Sequence, residues 1–305
     1  MFTKTLIGGA GLGAGVLAYS LGYERTAFTI RHVDVPALPS GARPIKVLHL
    51  SDVHMTPGQR AKQRWIRELV DLDPDLIVNT GDNLAHLEAL PSVLSAYQDL
   101  LDIPGVFVLG SNDYFSPILK NPLRYLWRHS GGRTRRVADL PWRELRDVFT
   151  GSGWLDLDNT AGRLKVGDLD IAFAGVDDPH LEYDDVAAVE APAPDDADLA
   201  IGVAHAPYLR VLDALNGAGY PLIMAGHTHG GQVRLPYFGA LVTNCDLDRQ
   251  RARGLSKHSV DGHPESWLHV SAGLGMSPFA PVRLSCRPEA TLLTLVPIDS
   301  PGRWT

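Results

Sequence analysis

Short apolar runs, each followed by polar or glycine-rich residues, recur along the chain. Runs of this length, bounded by turn residues, predict buried strands. Segments with helical periodicity lie between them, such as residues 59–71, where Trp65 and Leu69 fall on one face. Strands that alternate with helices predict an α/β sheet, whose ligands gather at the carboxyl ends of the strands. The predicted strands are residues 45–50, 76–79, 105–109, 154–157, 161–166, 169–175, 199–204, 222–225, 232–235, 267–271 and 291–296, and the predicted helices are residues 59–71, 87–101, 142–149 and 208–216.

Residues 45–297 contain no internal repeat and no linker-like segment, so we expect one domain of catalytic size there. Residues 24–44 are predicted to be an exposed connector that leads into an edge strand. Residues 114–141 interrupt the alternation with an insertion rich in arginine and aromatic residues. Two interpretations of this insertion are open: a solvated surface excursion, or a flap that contacts phosphate groups or a membrane surface.

The N-terminal segment, residues 1–23, has no charged residue from Thr5 to Tyr23. That length is at the low end for a membrane-spanning helix. A cleaved signal peptide is the alternative, but no small-residue cleavage site follows the run. We therefore predict a single N-terminal membrane anchor and a membrane-associated protein whose catalytic domain is extracytoplasmic.

The composition is that of an ordinary globular protein, with 45% hydrophobic and 21% charged residues. A net charge of −7 and a pI near 5.9 argue against a nucleic-acid partner, so none is expected. The two cysteines, Cys245 and Cys286, exclude a disulfide framework but leave a single disulfide open. We favour buried free thiols.

Carboxylates, amides and imidazoles follow several of the predicted strands. A buried cluster of such groups would be costly without a counterion, and imidazole is the commonest side-chain ligand of metal ions. His227 and His229 alone, in a glycine-rich turn after residues 222–225, could also be two outward histidines of a strand. Taken together, the strand ends predict a metal site. The candidate ligands are Asp52, His54, Asp82, Asn112, His205, His227 and His229.

The order of these motifs resembles that of the calcineurin-like metallophosphoesterases, and in particular their YaeI/YkuE-like branch. The matching segments are residues 48–54, Gly81-Asp82, residues 110–113, His205, residues 226–232 and residues 273–289. The resemblance extends from about residue 45 to residue 296 and implies a four-layer α-β-β-α sandwich of two mixed sheets. It also implies a binuclear site at one edge. Members of this branch often carry an N-terminal membrane or export segment.

By that resemblance, Asp52, His54 and His229 bind one metal ion and Asp82 bridges two. His205, His227 and a residue of the third motif complete the second ion's ligands. The implied cofactors are two divalent ions (Mn, Fe, Zn or similar), which activate a water molecule for attack on phosphorus.

The third motif departs from the family pattern, because Gly-Asn-His-Asp is replaced by residues 110–113, Gly-Ser-Asn-Asp. Without a gap, Ser111 takes the place of the metal-binding asparagine and Asn112 that of the leaving-group acid. With a one-residue slip Asn112 remains a ligand, which we favour because an amide oxygen binds a divalent ion better than a neutral hydroxyl. We take Asp82, Asn112 and Asp113 as the catalytic candidates. The proton donor is open between Asp113, Tyr114, His86 and a metal-bound water.

These patterns predict a metal-dependent phosphodiesterase or phosphatase that acts on a phosphoester, with a lipid-linked or envelope phosphate as the expected substrate. Without the histidine, we expect a preference for good leaving groups. The alternative, motivated by the altered third motif, is a metal-binding scaffold or binding module with little turnover. A nuclease is disfavoured by the acidic charge balance and the anchor.

Overall fold

Two six-stranded sheets pack face to face in the computed structural model, which describes residues 13–119, 137–235 and 237–300. The first sheet has the order β1-β14-β2-β3-β4-β5, and the second has the order β12-β13-β9-β8-β7-β6. The strands of the two sheets are β1 (Thr29–Leu38), β2 (Ile45–Leu50), β3 (Leu76–Asn79), β4 (Gly105–Phe107), β5 (Leu155–Asp156), β6 (Thr160–Val166), β7 (Leu169–Val176), β8 (Leu199–Ala204), β9 (Leu222–Ala225), β12 (Gly254–His258), β13 (Ser266–Val270) and β14 (Glu289–Pro297). A short hairpin, β10 (Arg234–Leu235) with β11 (Gly239–Ala240), stands apart from both sheets.

Both sheets are mixed. Strands β2 to β5 run parallel, and β14 is antiparallel to β2. In the second sheet β7, β8, β9 and β13 run parallel, with antiparallel β6 and β12 at the edges. The inner parallel strands are continuous apolar runs because layers cover them on both faces. The edge strand β6, in contrast, has exposed positions along most of its length.

The α-helices of the described residues are α1 (residues 13–22), α2 (Arg60–Arg67), α3 (Leu90–Tyr97), α4 (Ser111–Tyr114), α5 (Trp142–Gly151) and α6 (Leu209–Gly217). Helices α2, α3 and α5 cover the outer face of the first sheet, and α6 covers that of the second. Ile66 of α2 and Phe149 of α5 belong to the cluster against the first sheet. Val211 of α6 packs on the second sheet, and a third cluster that includes Val47 and Ile201 fills the space between the sheets. The predicted four-layer α-β-β-α sandwich is therefore confirmed.

The observed elements differ from the predicted ones mainly at the edge strands of the two sheets and at the ends of one helix. Residues 24–44, expected to be a connector, contain the ten-residue strand β1, which pairs in parallel with β14. The edge strand β12 was not predicted. The helix predicted at residues 87–101 is shorter, from Leu90 to Tyr97.

The N-terminal segment is described only in part. Residues 13–22 are helical, while residues 1–12 of the predicted anchor lie outside the described residues. No helix within the described ranges has the length and apolar character needed to cross a membrane. The basic residues of the predicted insertion, Lys120 to Arg136, also lie outside the described residues.

Candidate metal centre

Four predicted ligands, Asp52, His54, Asp82 and His229, converge at the carboxyl ends of the strands. One potential ligand atom from each lies within 4.8 Å of all the others. Nε2 of His54 is 3.2 Å from Nε2 of His229 and 3.3 Å from Oδ2 of Asp82. Oδ1 of Asp52 lies 3.5 Å from Nε2 of His229 and 4.0 Å from Nε2 of His54. The donors therefore surround a common point, as ligands of a single ion do.

The backbone at all four of these residues is left-handed. The φ angles are 49° at Asp52, 43° at His54, 58° at Asp82 and 49° at His229. Such conformations cost on the order of 1–3 kcal/mol each for a non-glycine residue. They turn each side chain from its strand end toward the shared point. Strain of this kind is typical of functional sites.

One buried carboxylate oxygen of the site has no hydrogen-bond partner among the described residues and suits a bound cation. Oδ2 of Asp52 accepts hydrogen bonds from Ser51 Oγ and from the backbone nitrogen of His227. Oδ1 of Asp52 is buried and has no hydrogen-bond partner among the described residues. A buried carboxylate oxygen without a partner is costly, and a divalent ion bound at this point would satisfy it. Oxygen and imidazole donors together suit a borderline divalent ion such as Zn²⁺, Mn²⁺ or Fe²⁺.

His229 is held in the neutral form that a metal ligand requires. Its Nδ1–H donates to the carbonyl oxygen of Gly275 at 3.1 Å, which leaves the lone pair of Nε2 pointing toward Asp52 and His54. Burial lowers the pKa of His229 to about 4, despite the opposing charge of Asp52. The guanidinium of Arg283 is buried beneath this loop and donates to the same Gly275 carbonyl at 2.6 Å.

A second set of donors lies on the other side of Asp82. Nε2 of His205 is 3.6 Å from Oδ1 of Asp82 and 3.3 Å from Nδ1 of His227. Nδ1–H of His205 donates to the Thr80 carbonyl at 2.7 Å, and Nε2–H of His227 donates to the Asn244 carbonyl at 3.2 Å. Each imidazole therefore turns its free nitrogen inward. Asp82 is the residue that both sets share.

The electrostatics of this second set favour a bound positive charge. Burial lowers the pKa of His205, but the carboxylates of Asp82, Asp178 and Asp52 outweigh burial and raise that pKa to about 9. The pKa of His227 is lowered by burial and by its histidine neighbours. Without a metal ion, a proton on His205 would balance part of the negative charge. A divalent ion would replace that proton.

The third motif forms the short helix α4 beside Asp82. The backbone nitrogen of Asn112 donates to Oδ1 of Asp82 at 2.7 Å, and its Nδ2 donates to Oδ2 at 2.8 Å. These contacts hold the shared carboxylate, so the ligand role of Asn112 stays a prediction. The Ser111 hydroxyl donates to Oδ2 of Asp178 instead.

Asp113, a predicted catalytic residue, is fully buried and holds the neighbouring backbone. Its carboxylate accepts hydrogen bonds from the backbone nitrogens of Gly110, Asp82 and Asn83 at 2.7–3.0 Å, and from Leu84 at 3.2 Å. Burial and the charge of Asp82 raise its pKa to about 6. Its observed contacts therefore position the Asp82 loop.

The other proton-donor candidates face elsewhere. The hydroxyl of Tyr114 donates to Asp177 at 2.9 Å, and His86 is exposed and accepts a hydrogen bond from the Glu88 backbone at 3.1 Å.

Asp178 and His180 were not predicted as site residues, because they fall in an acidic stretch that was interpreted as a loop. The imidazole of His180 lies against that of His227, with ring centroids 4.5 Å apart, and its Nδ1 is 3.0 Å from the Tyr208 hydroxyl. Their position just after β7 could have identified Asp178 and His180 in the sequence, because ligands of α/β sheets gather at the carboxyl ends of the strands.

Comparison with known proteins identifies the family. Residues 45–231 match the family model for Calcineurin-like phosphoesterase. The chain is 25% identical over 312 residues to the uncharacterized metallophosphoesterase YkuE of Bacillus subtilis. This alignment covers 96% of the chain and 96% of YkuE. It is 27% identical over 270 residues to the phosphodiesterase YaeI of Escherichia coli, which covers 84% of this chain and 83% of YaeI. It is also 30% identical over 222 residues to a transmembrane protein with metallophosphoesterase domain from Bos taurus, which covers 68% of this chain and 45% of that protein.

The predicted resemblance is thus confirmed by the family match and by these relatives. The family uses divalent metal ions, and the cluster of Asp52, His54, Asp82 and His229 has the donors that such an ion requires. The chain belongs to the calcineurin-like phosphoesterases and is a metallophosphoesterase, a hydrolase that acts on phosphoester bonds.

Proposed function

We propose that this protein hydrolyses phosphoesters at a binuclear metal site. Asp52, His54 and His229 would hold one ion, His205 and His227 the other, and Asp82 would bridge the two. The observation that carries this proposal is the position of Asp82: Oδ2 lies 3.3 Å from His54 Nε2, and Oδ1 lies 3.6 Å from His205 Nε2. One carboxylate thus presents a different oxygen to each donor set.

Divalent ions held by these residues would supply Lewis-acid chemistry, which lowers the pKa of a bound water molecule and stabilises charge on the phosphoryl oxygens. The protein's own residues set the geometry for this chemistry. Asn112 holds both oxygens of Asp82, and Asp113 fixes the loop that carries it. Ser51 and the backbone of His227 orient Asp52. No described side chain acts as a nucleophile in this proposal.

The residue at position 112 limits the substrates. An amide cannot donate a proton to a leaving group at neutral pH, and the loss of a general acid costs roughly 10²–10⁴ in rate for a poor leaving group. We therefore propose substrates with good leaving groups, such as aryl or nucleotide esters and pyrophosphate linkages. Equal rates on simple alkyl phosphates and aryl phosphates would contradict this substrate class.

The proposed location is a membrane surface, with a lipid-linked phosphate as substrate and the catalytic domain outside the cytoplasm. Val16, Leu17 and Tyr19 of α1 are exposed apolar side chains. Directly after α1, the buried carboxylate of Glu24 accepts a hydrogen bond from the backbone nitrogen of Cys286 at 2.6 Å. Cys286 in turn contacts the backbone of His229. The end of the apolar segment is thereby connected to the loop beside the donors.

Flotation of the full chain with lipid vesicles tests this location, and protease protection in membrane vesicles of known orientation tests the face. Recovery of the full chain only in the soluble fraction would contradict it.

The decisive experiment on the reaction uses the full-length chain. A truncation after residue 41 would remove β1, which pairs with β14 in the first sheet. The protein would be loaded with Mn²⁺, its metal content measured, and its turnover of an aryl phosphodiester followed. Asp82→Asn should lose metal and activity together. Asp168→Asn, at an exposed turn position, is the matched control and should retain both.

The second candidate function is a metal-binding scaffold with little turnover, and the altered third motif is the observation that favours it. Stoichiometric metal binding without hydrolysis of any aryl, nucleotide or lipid phosphoester would support this candidate.

A further inference from the structure

Among the described residues, the second donor set has three inward-facing members, Asp82, His205 and His227. A divalent ion at this point needs at least one more oxygen ligand. The backbone and amide nitrogens of Asn112 both donate to Asp82, which leaves the amide oxygen of Asn112 as one candidate. The short hydroxyl of Ser111 donates its proton to Asp178, and the Asp178 carboxylate is the other candidate.

The sheet topology brings Asp178 to the same edge as His205 and His227. Strands β7, β8 and β9 are adjacent and parallel. Val176 of β7 is in register with Ala204 of β8, and Ala204 is in register with Ala225 of β9. Asp178 lies two residues beyond its strand, His205 one residue beyond, and His227 two residues beyond. Because the carboxyl ends of parallel strands meet at one edge, the three side chains form a row.

The contacts of Asp178 fix its carboxylate in this row. The residue is fully buried. Oδ2 accepts the Ser111 hydroxyl, and Oδ1 accepts the backbone nitrogen of His180 at 2.8 Å. The ring of His180 then packs on that of His227. Each carboxylate oxygen still has a lone pair available for a cation.

The charges near Asp178 also suit a cation. The carboxylates of Asp82 and Asp178 are both buried close to the imidazole of His205. Two buried carboxylates close to one imidazole carry more negative charge than that imidazole can balance. A divalent ion would compensate both.

The alignment of the third motif without a gap agrees with this arrangement. Gly110 packs against Asp82 so closely that an added Cβ would lie 2.4 Å from Oδ1. Asp113, three residues later, accepts from the backbone of the Asp82 loop. With these two ends fixed, Ser111 stands where the family pattern has its metal-binding asparagine, and Asp178 is its immediate partner.

We propose that Asp178 supplies the oxygen ligand of the second ion in place of that asparagine, and that Ser111 acts as the positioning residue for its carboxylate. This inference rests on the binuclear site proposed above. It assigns a ligand from the end of β7, outside the motifs that define the family resemblance.

The test is metal stoichiometry, which does not depend on turnover. The full-length protein and Asp178→Ala would be titrated with Mn²⁺, with metal per chain measured by mass spectrometry and spin coupling by electron paramagnetic resonance. We expect two coupled ions in the parent protein. Asp178→Ala, which removes the carboxylate and leaves no amide oxygen in its place, should keep the first ion and bind the second at least about 100-fold more weakly, because even outer contacts of a metal site contribute 10–100-fold. Ser111→Ala should weaken the second ion about 10-fold.

Asp177→Asn is the matched control, since its Oδ1 can still accept from the Tyr114 hydroxyl and the Asp178 backbone. It should bind two ions. The double variant Ser111→Asn with Asp178→Ala should recover the second ion, which a merely structural role of Asp178 would not allow.

Unchanged two-ion binding in Asp178→Ala would overturn the inference while leaving the proposed function intact. Binding of only one ion by the parent protein would instead contradict the binuclear function itself. Should Asp178→Ala fail to fold, the inference is judged on Ser111→Ala, and unchanged affinity for the second ion in that variant overturns it.

Discussion

Asn112 holds both oxygens of Asp82, with its backbone nitrogen 2.7 Å from Oδ1 and its Nδ2 2.8 Å from Oδ2. In the alignment of the third motif without a gap, Asn112 stands where the family pattern has its proton donor, and here it donates hydrogen bonds to the Asp82 carboxylate. An amide can orient Asp82, but it cannot release a proton to a leaving group. Asn112 can therefore support metal binding through Asp82 without protonating the leaving group.

Asn112→His should restore a leaving-group acid. We expect kcat/KM on alkyl phosphodiesters to rise by roughly 10²-fold, at the low end of the contribution of a positioned general acid. The rate on an aryl diester should change little, because that leaving group needs no proton. Steady-state kinetics on both substrates check the prediction. Asn112→Ala separates the loss of the Asp82 contact from the gain of an acid, and an equal rise for both substrates in Asn112→His would contradict it.

Gly226 has no room for a side chain beside the first donor set. An added Cβ would lie 1.9 Å from Ser51 Oγ and 2.7 Å from Asp52 Oδ2. Gly226→Ala should therefore displace Asp52 and weaken the first ion by about 10-fold or more, as loss of an outer contact does. Calorimetric titration with Mn²⁺ measures this. Gly217→Ala, where nothing lies within 4 Å of an added Cβ, is the control. Parent-like affinity in Gly226→Ala would rule out the displacement.

Arg283 should be needed both for stability and for the first ion. Its buried guanidinium donates to the carbonyls of Ala272 at 2.8 Å and Gly275 at 2.6 Å, and Gly275 also accepts from His229. Arg283→Met removes the guanidinium donor from the Ala272 carbonyl and leaves the Gly275 carbonyl with His229 alone, so we expect a loss of about 1–3 kcal/mol in unfolding free energy. Affinity for the first ion should fall about 10-fold.

Urea denaturation and metal titration measure the two effects of this substitution. Arg287→Met is the control, because Arg287 donates to backbone carbonyls at exposed positions. Loss of stability with unchanged metal affinity would show that Arg283 serves only the fold.

The sequence predicted that Asp52, His54 and Asp82 would lie close together, because each follows an apolar run predicted to be a buried strand, and the carboxyl ends of parallel strands meet at one edge. The assignment of these residues to one ion came from the family resemblance. The backbone strain at these residues was not predictable, because left-handed φ angles at Asp and His depend on the tertiary contacts that impose them.

The contacts that complete the site were harder to predict. Asp178 lies at the start of a stretch rich in acidic residues and proline, so its strand-end position was masked by composition. Arg283 lies 54 residues after His229 in the chain, and no local sequence pattern predicts a contact over that separation. The edge strands β1 and β12 were missed because half-exposed strands lack the continuous apolar runs of the inner strands.

A buried histidine pair between the two sheets should make stability depend on pH. Nδ1 of His49 lies 2.8 Å from Nδ1 of His269, and both residues are fully buried. Burial, with a smaller effect from Arg31, lowers the pKa of His269 to about 3. Burial and His269 lower that of His49. Both rings therefore stay neutral in the folded protein under conditions where the unfolded chain binds protons.

The direction in which stability changes with pH follows from proton linkage. Below the unfolded-state pKa of 6.5 the unfolded chain holds more protons than the folded protein, so stability present above that pH is lost as pH falls toward 3. Each such group contributes a slope of about 1.4 kcal/mol per pH unit. In urea denaturation with a chelator between pH 6 and pH 4.5, His269→Gln should lose about that much slope. His263→Gln, at an exposed position, should keep the parent slope. A parent-like slope in His269→Gln would show that this imidazole takes up a proton in the folded state.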